Sequence, residues 1–216
     1  MNNSNSAPSG AQHIWCKICG ITAADDARFA QAAGADAIGL NFYRKSQRYV
    51  ERHQAADICA GSNLTRVGVF VDADPSWVRE ILDVCELDML QFHGAESADY
   101  CNQFELPYMK AVRVRADMDW QALAAYDTAW ALLLDTYVHG VQGGTGATFD
   151  WSLWPDNVHP RKILAGGLDA HNVRQAIRST QPFGVDVAGG VEGAAKGRKD
   201  PAKVKEFLLE VRSGTD

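Results

Sequence analysis

Two cysteines three residues apart, Cys16 and Cys19, lie in the stretch "IWCKICG" near the start of the chain. A Cys-x-x-Cys pair can supply half of a zinc site or a redox dithiol. The segment 14–19 predicts a buried β-strand, and successive side chains of a strand point to opposite faces. The two thiols therefore point apart, which disfavours a shared metal or a disulfide. The sequence contains no second Cys-x-x-Cys and no His-x-x-x-His pair to complete a zinc site.

The two cysteines then take different roles. Cys16 shares its strand face with Ile14 and Ile18, which suits an apolar layer. Cys19 shares the other face with Lys17 and is the last strand residue before a glycine. A reactive thiol at the end of a strand is one interpretation of Cys19, and a buried inert thiol is the other.

Other polar side chains also stand at or near predicted strand ends. Gln91 and His93 share a face at the end of one segment, and Asp135 ends another. His93 could contact a substrate or fix a loop, and Asp135 could be a functional carboxylate or a helix N-cap.

Glycine pairs, Gly166–Gly167 and Gly189–Gly190, follow two further segments. Such pairs let backbone N–H groups approach a phosphate, although tight turns alone would explain one of them.

The elements that must position these residues alternate along the chain. Apolar segments rich in Val, Ile, Leu and Phe predict eight buried parallel strands at 14–19, 37–42, 66–71, 88–92, 108–114, 130–135, 162–166 and 184–188. Amphipathic segments between them predict helices, which include 22–33, 75–86, 96–104, 118–126, 169–179 and 200–212. Thr22 is expected to cap the first helix at its N-terminus, and Gly34 to end it.

Eight strands alternating with about eight helices predict a single-domain α/β fold, a (β/α)8 TIM barrel over 14–216. A doubly wound open sheet is the alternative, but the Gly-x-Gly-x-x-Gly motif after the first strand is missing. In a closed barrel the first and last strands are neighbours, so Lys17 and Asp186 are expected to form a buried ion pair. Active sites of such barrels lie at the carboxyl ends of the strands.

Composition narrows the class of protein. The net charge of −6 and the lack of a long basic run disfavour a nucleic-acid partner. No apolar run approaches the roughly 20 residues that cross a bilayer, so no membrane association is expected. Residues 1–13 are polar and predict a disordered tail rather than a signal peptide. Five cysteines in apolar segments favour reduced thiols and a cytoplasmic location.

An ordered set of motifs adds a family resemblance. In chain order they are "KICGIT" (17–22), "GLNFYRKSQRYV" (39–50), "VGVFVD" (67–72), "DMLQFHG" (88–94), "LLLDT" (132–136), "GGTGATFDW" (143–151), "LAGGL" (164–168) and "GVDVAGGVE" (184–192). This set, which spans nearly everything after the tail, resembles the phosphoribosylanthranilate isomerase family of tryptophan biosynthesis. Single glycine pairs are weak signals, whereas the ordered set is specific.

The resemblance implies an Amadori rearrangement of N-(5-phosphoribosyl)anthranilate to the corresponding 1-amino-1-deoxyketose, without metal or cofactor. It implies that Cys19 is the general base, that Asp135 is the general acid, and that Arg48 binds the anthranilate carboxylate. Gln91 and His93 are then expected to bind substrate, and Gly166, Gly167, Gly189 and Gly190 to bind its phosphate. The partner is a small phosphosugar, and the chain is expected to be a monomer or a homodimer.

The chemistry sets requirements of its own. The thiol of Cys19 benefits from a lowered pKa, and helix N-termini at the rim favour thiolate. Glycines 143, 144 and 146 are expected to make the loop after the sixth strand a mobile lid. The chain departs from the family with Gln47 where Pro is usual, and with Ala188–Gly189 where two serines are common. The loop around Arg48 is then less rigid, and a serine contact to phosphate is lost.

Two other functions compete with this interpretation. The histidine-pathway isomerase runs the same rearrangement on a larger substrate, but that family would place a carboxylate base where this chain has Cys19. A catalytically silent barrel that binds a phosphorylated ligand is the second, and it predicts a degraded acid–base pair. Both Cys19 and Asp135 are present, which favours the enzyme.

Overall fold

A closed parallel barrel forms the centre of the molecule, in a computed structural model that describes residues 13–115, 117–135 and 151–214. Its strands are hydrogen-bonded in chain order, and the first pairs with the last. They are β1 Trp15–Cys19, β2 Ala37–Asn41, β3 Thr65–Phe70, β4 Met89–Phe92, β5 Tyr108–Arg113, β6 Ala131–Asp135, β7 Lys162–Ala165 and β8 Gly184–Val187. All eight fall within the predicted segments to within about a residue at each end, and the predicted TIM barrel is confirmed.

Helices cover the outside of the barrel. The α-helices are α1 Ala24–Ala32, α2 Arg52–Ala60, α3 Pro75–Leu82, α4 Ala98–Asn102, α5 Val173–Thr180 and α6 Pro201–Ser213. Short 3-10 helices stand at Trp120–Tyr126, Trp151–Leu153 and Gly189–Val191. Within the described residues, six α-helices and three 3-10 helices therefore alternate with the strands, and the segment after β5, which was predicted to be helical, winds into the tighter 3-10 form.

The first helix begins differently from the prediction. Its N-cap is Ala23, whose side chain cannot accept a hydrogen bond from the first turn. Thr22 instead donates its hydroxyl to the carbonyl of Gly197 at 2.7 Å. Gly34, with φ of +89°, ends the helix in the left-handed region as predicted. Thr22 was wrongly expected to cap α1, and its contact instead ties the end of β1 to the segment after β8.

The strands divide the core into two layers by their alternation. Cys16 is fully buried in the outer layer between strands and helices, together with Ile14 and Ile18. The inner layer fills the barrel with apolar side chains, among them Val67, Met89, Met109, Leu133 and Ile163. Cys16 therefore points away from the barrel interior, and all five cysteines are free thiols. This arrangement confirms the opposite-face prediction for Cys16 and Cys19.

The barrel interior also holds an ion pair, and a cluster of aromatic rings lies below it at the amino-terminal end. The ammonium of Lys17, fully buried, lies 2.8 Å from Oδ1 of Asp186, which confirms the predicted pair. Below it, the ring centroids of Trp15 and Trp130 are 5.3 Å apart, and those of Trp130 and Phe183 are 5.5 Å apart. The rings close the amino-terminal end of the barrel, so access to its interior is from the carboxyl end.

Some predictions fall outside the described residues. The tail at 1–13 does so apart from His13, and so do glycines 143, 144 and 146 of the expected lid. Within the described ranges, no helix has both the length and the apolar character needed to cross a membrane.

Candidate active site at the carboxyl end of the barrel

Cys19 ends β1 at the mouth of the barrel, and its thiol is packed closely by neighbours. It pairs in register with Gly39 of β2, where an added Cβ would lie 2.8 Å from Sγ and 3.1 Å from Nζ of Lys17. Gly39 therefore leaves the space that both side chains occupy. Gly39 was not among the predicted site residues, although a glycine inside a strand is a signal of such close approach.

The electrostatics of Cys19 differ from expectation. Burial raises the pKa of the thiol, and Lys17 opposes that rise while Asp186 adds to it. Lys199 contributes a further lowering influence, and the net direction is upward. The lowered pKa from which the chemistry would benefit is therefore not a property of the free protein, because desolvation outweighs the two ammonium groups. The raised pKa favours the protonated thiol over the thiolate in the free protein.

Asp135, His93 and Gln91 meet on the other side of the mouth. Nε2 of His93 lies 3.3 Å from Oδ2 of Asp135, and Nδ1 of His93 lies 2.9 Å from Nε2 of Gln91. With the Gln91 amide donating, Nδ1 accepts, so Nε2 carries the proton and points at the carboxylate. Gln91 is buried. The arrangement fixes the orientation of Asp135 through a neutral imidazole.

Arg48 crosses from the loop after β2 to the loop after β8. Its side chain lies over Gly20, where an added Cβ would come 2.4 Å from Cδ of Arg48. Its Nε and Nη2 donate to the two carboxylate oxygens of Glu192, at 2.5 and 2.9 Å. This contact raises the pKa of Arg48, and burial opposes it. The guanidinium therefore stands at the mouth beside the end of β1.

The glycine pairs lie on two adjacent loops. Loop seven (166–172) begins with Gly166 and Gly167, whose φ angles are +92° and +64°. Loop eight (188–200) packs against it so tightly that a Cβ on Gly190 would lie 2.0 Å from the carbonyl oxygen of Leu168. An added Cβ on Gly167 would meet no atom within 4 Å. Gly167 thus exposes backbone to the mouth, whereas Gly190 serves the packing of the two loops.

Lys199 also lies at the mouth of the barrel, although it was not among the predicted site residues. It is buried, and its Nζ donates to the carbonyl of Ala188 at 2.9 Å. Asp26 of α1, fully buried, holds this stretch by accepting from the backbone N–H of Lys199 at 3.0 Å and from Arg198. Burial lowers the pKa of Lys199, while Glu192 opposes that change. In the sequence, Lys199 stands between the charged residues Arg198 and Asp200, a pattern typical of solvent-exposed loops.

The strand order determines how far apart Cys19 and Asp135 lie around the rim. Cys19 ends β1 and Asp135 ends β6, and β7 and β8 lie between them on the shorter way round. Loops seven and eight therefore occupy the arc between a thiol and a carboxylate. Such an arrangement can hold a phosphorylated ligand with an acid and a base on its two sides.

Comparisons with known proteins agree with this geometry. Residues 16–210 match the family model described as N-(5'phosphoribosyl)anthranilate (PRA) isomerase. The chain is 53% identical over 200 residues to N-(5'-phosphoribosyl)anthranilate isomerase of Pseudomonas paraeruginosa, covering 91% of this chain and 94% of that protein.

Two solved structures extend the comparison. One is of monomers generated from the dimeric phosphoribosylanthranilate isomerase of Thermotoga maritima; it has a TM-score of 0.83 and 35% identity over 93% of this chain and 100% of that one. The other is of a phosphoribosyl anthranilate isomerase in complex with reduced 1-(o-carboxyphenylamino)-1-deoxyribulose 5-phosphate. It has a TM-score of 0.82 and 35% identity, with the same coverage of both chains.

Proposed function

The chain belongs to the N-(5'-phosphoribosyl)anthranilate isomerase family, and from that premise we propose that Cys19 and Asp135 are the base and acid of its reaction. The activity is that of a phosphoribosylanthranilate isomerase in tryptophan biosynthesis. The observation that supports the two roles is their placement at the ends of β1 and β6, on either side of loops seven and eight.

The rearrangement needs one proton delivered and one removed. Asp135 in its protonated form donates to the ring oxygen as the C1–O bond breaks, and the anilino nitrogen becomes a protonated Schiff base. That cation acidifies the C2 hydrogen, and the Cys19 thiolate removes it to give an enolamine. The enolamine takes up a proton at C1 and loses one from its C2 hydroxyl, which yields the ketone. Each step is an ordinary general acid–base transfer.

The resting protonation states set two conditions on substrate binding. Cys19 must lose its proton, and the dianionic phosphate alone would oppose this by repelling a thiolate. Lys17 and Lys199 supply positive charge close to the thiol, which offsets that repulsion. Asp135 must gain a proton, and this proton comes from solvent, because the neutral imidazole of His93 donates a hydrogen bond from Nε2 but cannot give that proton up. The substrate's negative charge favours the protonated carboxyl.

Substrate orientation falls to the groups around the acid and base. Arg48 binds the anthranilate carboxylate through its guanidinium, a planar group suited to bidentate contact. Gly166 and Gly167, together with Gly189 and Gly190, bind the phosphate through backbone N–H groups of loops seven and eight. Gln91 and His93 complete the substrate contacts, while Gly190 also keeps the two loops together.

A fluorescence assay tests the proposal directly. Phosphoribosylanthranilate is made in situ from anthranilate and phosphoribosyl pyrophosphate, and its fluorescence is followed after the protein is added. We expect rapid loss of signal with the wild-type chain and little above background with Cys19→Ala or Asp135→Asn. A wild-type chain that binds the phosphosugar without turnover would support the silent barrel instead.

Light scattering on the same sample decides between the monomer and the homodimer, the state that is stated for the Thermotoga relative.

A further inference from the structure

Glu192 is a buried carboxylate at the mouth of the barrel that the proposed chemistry does not use. Its side chain is 3% exposed, and its oxygens receive hydrogen bonds from Arg48 and from the backbone N–H of Gly197. Nζ of Lys199 and Nζ of Lys196 each lie 3.5 Å away. Burial raises the pKa of this carboxyl, but the contacts with Arg48 and Lys199 outweigh it, so that the net direction is downward. Glu192 is therefore an anion held in place from several sides.

The contact with Arg48 uses one edge of the guanidinium. Glu192 faces Nε and Nη2, with one oxygen on each. The edge that carries Nη1 makes no hydrogen bond to any residue that the structure describes. A guanidinium has five N–H groups in a fixed plane, so binding one edge determines where the other edge points. Glu192 thus orients the free edge without occupying it.

The stem of Arg48 is held as well, although the loop lacks a usual source of rigidity. Gln47 stands where a proline would have fixed the backbone. Instead, Oγ of Ser46 accepts from the backbone N–H of Arg48 at 3.0 Å, and the side chain packs over Gly20. Stem and guanidinium are then fixed by side-chain contacts, and Glu192 supplies the one at the charged end.

We propose that Glu192 is a positioning residue that acts through Arg48 and presets its free edge for the substrate carboxylate. The inference rests on the proposed role of Arg48. A preset clamp gains affinity because the side chain loses less freedom when the ligand arrives. The opposite arrangement, in which Glu192 blocks Arg48 and must be displaced, would predict tighter carboxylate binding once Glu192 is neutralised.

Binding of two matched ligands tests the proposal. The first is the reduced 1-(o-carboxyphenylamino)-1-deoxyribulose 5-phosphate, and the second is the same molecule without its carboxyl group. We expect the wild type to prefer the carboxylated ligand, and Glu192→Gln to lose about tenfold of that preference, which is about 1.4 kcal/mol. Binding of the second ligand should hardly change. Glu206→Gln, an exposed change on α6, is the matched control and should keep the wild-type preference.

The outcomes separate the alternatives. Equal weakening of both ligands in Glu192→Gln would mean a merely structural role and would overturn the inference, as would an unchanged or increased preference. Arg48→Ala should abolish the preference, and adding Glu192→Gln to it should change nothing more. If Glu192→Gln fails to fold, Glu192→Asp keeps the charge, shortens the reach, and should reduce the preference in the same direction. A wild type with no preference at all would contradict the role of Arg48 itself.

Discussion

The ammonium of Lys17 on β1 lies 2.8 Å from Oδ1 of Asp186 on β8, one inward-facing position below Cys19. Burial lowers the pKa of Lys17, but Asp186 and Cys19 together raise it by more. The net direction is upward, so the ammonium stays charged. The pair therefore does more than join two neighbouring strands. It places a permanent positive charge under the thiol, with Asp186 as a partly opposing charge behind it.

The two cysteines of the first strand should differ sharply when each is replaced by alanine. Cys19→Ala should lose about 10²- to 10⁴-fold in kcat, the usual cost of losing a general base. Cys16→Ala should keep its activity and lose at most some stability, because its thiol lies in the outer layer. Steady-state kinetics and thermal melts on both variants provide the measurement. Equal losses of activity in the two variants would be inconsistent with a single base.

The pH dependence of kcat/KM should report the raised pKa of Cys19. The active form combines the Cys19 thiolate with a protonated Asp135. Between the two pKa values the gain in thiolate offsets the loss of protonated carboxyl, so kcat/KM should be level there and should fall only above the raised thiol pKa, beyond about pH 8. In Lys17→Met the loss of the nearby cation raises that pKa further, so the fall should move to higher pH. Lys205→Met, on the exposed face of α6, should leave the profile in place.

That profile also separates a charge effect from a loss of stability. Removing one partner of a buried pair costs about 3–5 kcal/mol, so Lys17→Met should also melt earlier. Reduced amounts of folded protein lower kcat/KM equally at every pH, whereas a changed thiol pKa alters the shape of the curve. An unshifted curve in folded Lys17→Met would contradict the influence of Lys17 on Cys19.

The acid and the carboxylate clamp should be distinguished by which constant changes most. Asp135→Asn should lower kcat and leave KM nearly unchanged, because the amide keeps the shape but cannot protonate the ring oxygen. Arg48→Ala should raise KM by about 10- to 100-fold, since a hydrogen bond to a charged group contributes about 1.5–3 kcal/mol. It should also lower kcat where the clamp sets the angle between C2–H and Cys19. Should Asp135→Asn change KM alone, or Arg48→Ala leave KM unchanged, the assigned roles are wrong.

Two glycines of loop eight should respond differently to an added methyl group. In Gly190→Ala the new Cβ meets the Leu168 carbonyl oxygen at 2.0 Å, so loops seven and eight must separate. We expect a loss of about 1–3 kcal/mol in stability and a higher KM for the phosphorylated substrate. Gly193→Ala, whose Cβ would meet only Asp200 at 4.0 Å, should stay within about 0.5 kcal/mol. Melting curves and inhibition by inorganic phosphate test this, and an unaffected Gly190→Ala would show that the loops can separate without cost.

Part of the site follows from local sequence alone. The alternation within 14–19 predicted that Lys17 and Cys19 share one face of the strand and that Cys16 lies on the other, because the period of a strand is fixed by backbone geometry. The order of eight apolar segments predicted closure, and closure made β1 and β8 neighbours. The Lys17–Asp186 pair could be predicted for that reason, although its members are far apart in the chain.

Other features required the folded chain. The helix predicted at 118–126 takes the 3-10 form, and Thr22 bonds to Gly197 instead of capping α1. The pKa of Cys19 is raised because the thiol is buried, and the degree of burial cannot be predicted from a local residue pattern. The bond from Arg48 to Glu192 joins loops that follow different strands, and its geometry depends on how those loops lie over Gly20. Strand period and strand order are set by backbone geometry and hydrophobic pattern, so the sequence determined the barrel and the residues at its rim. Contacts between loops depend on side-chain packing in three dimensions, so only the tertiary structure decided which charges meet at the mouth.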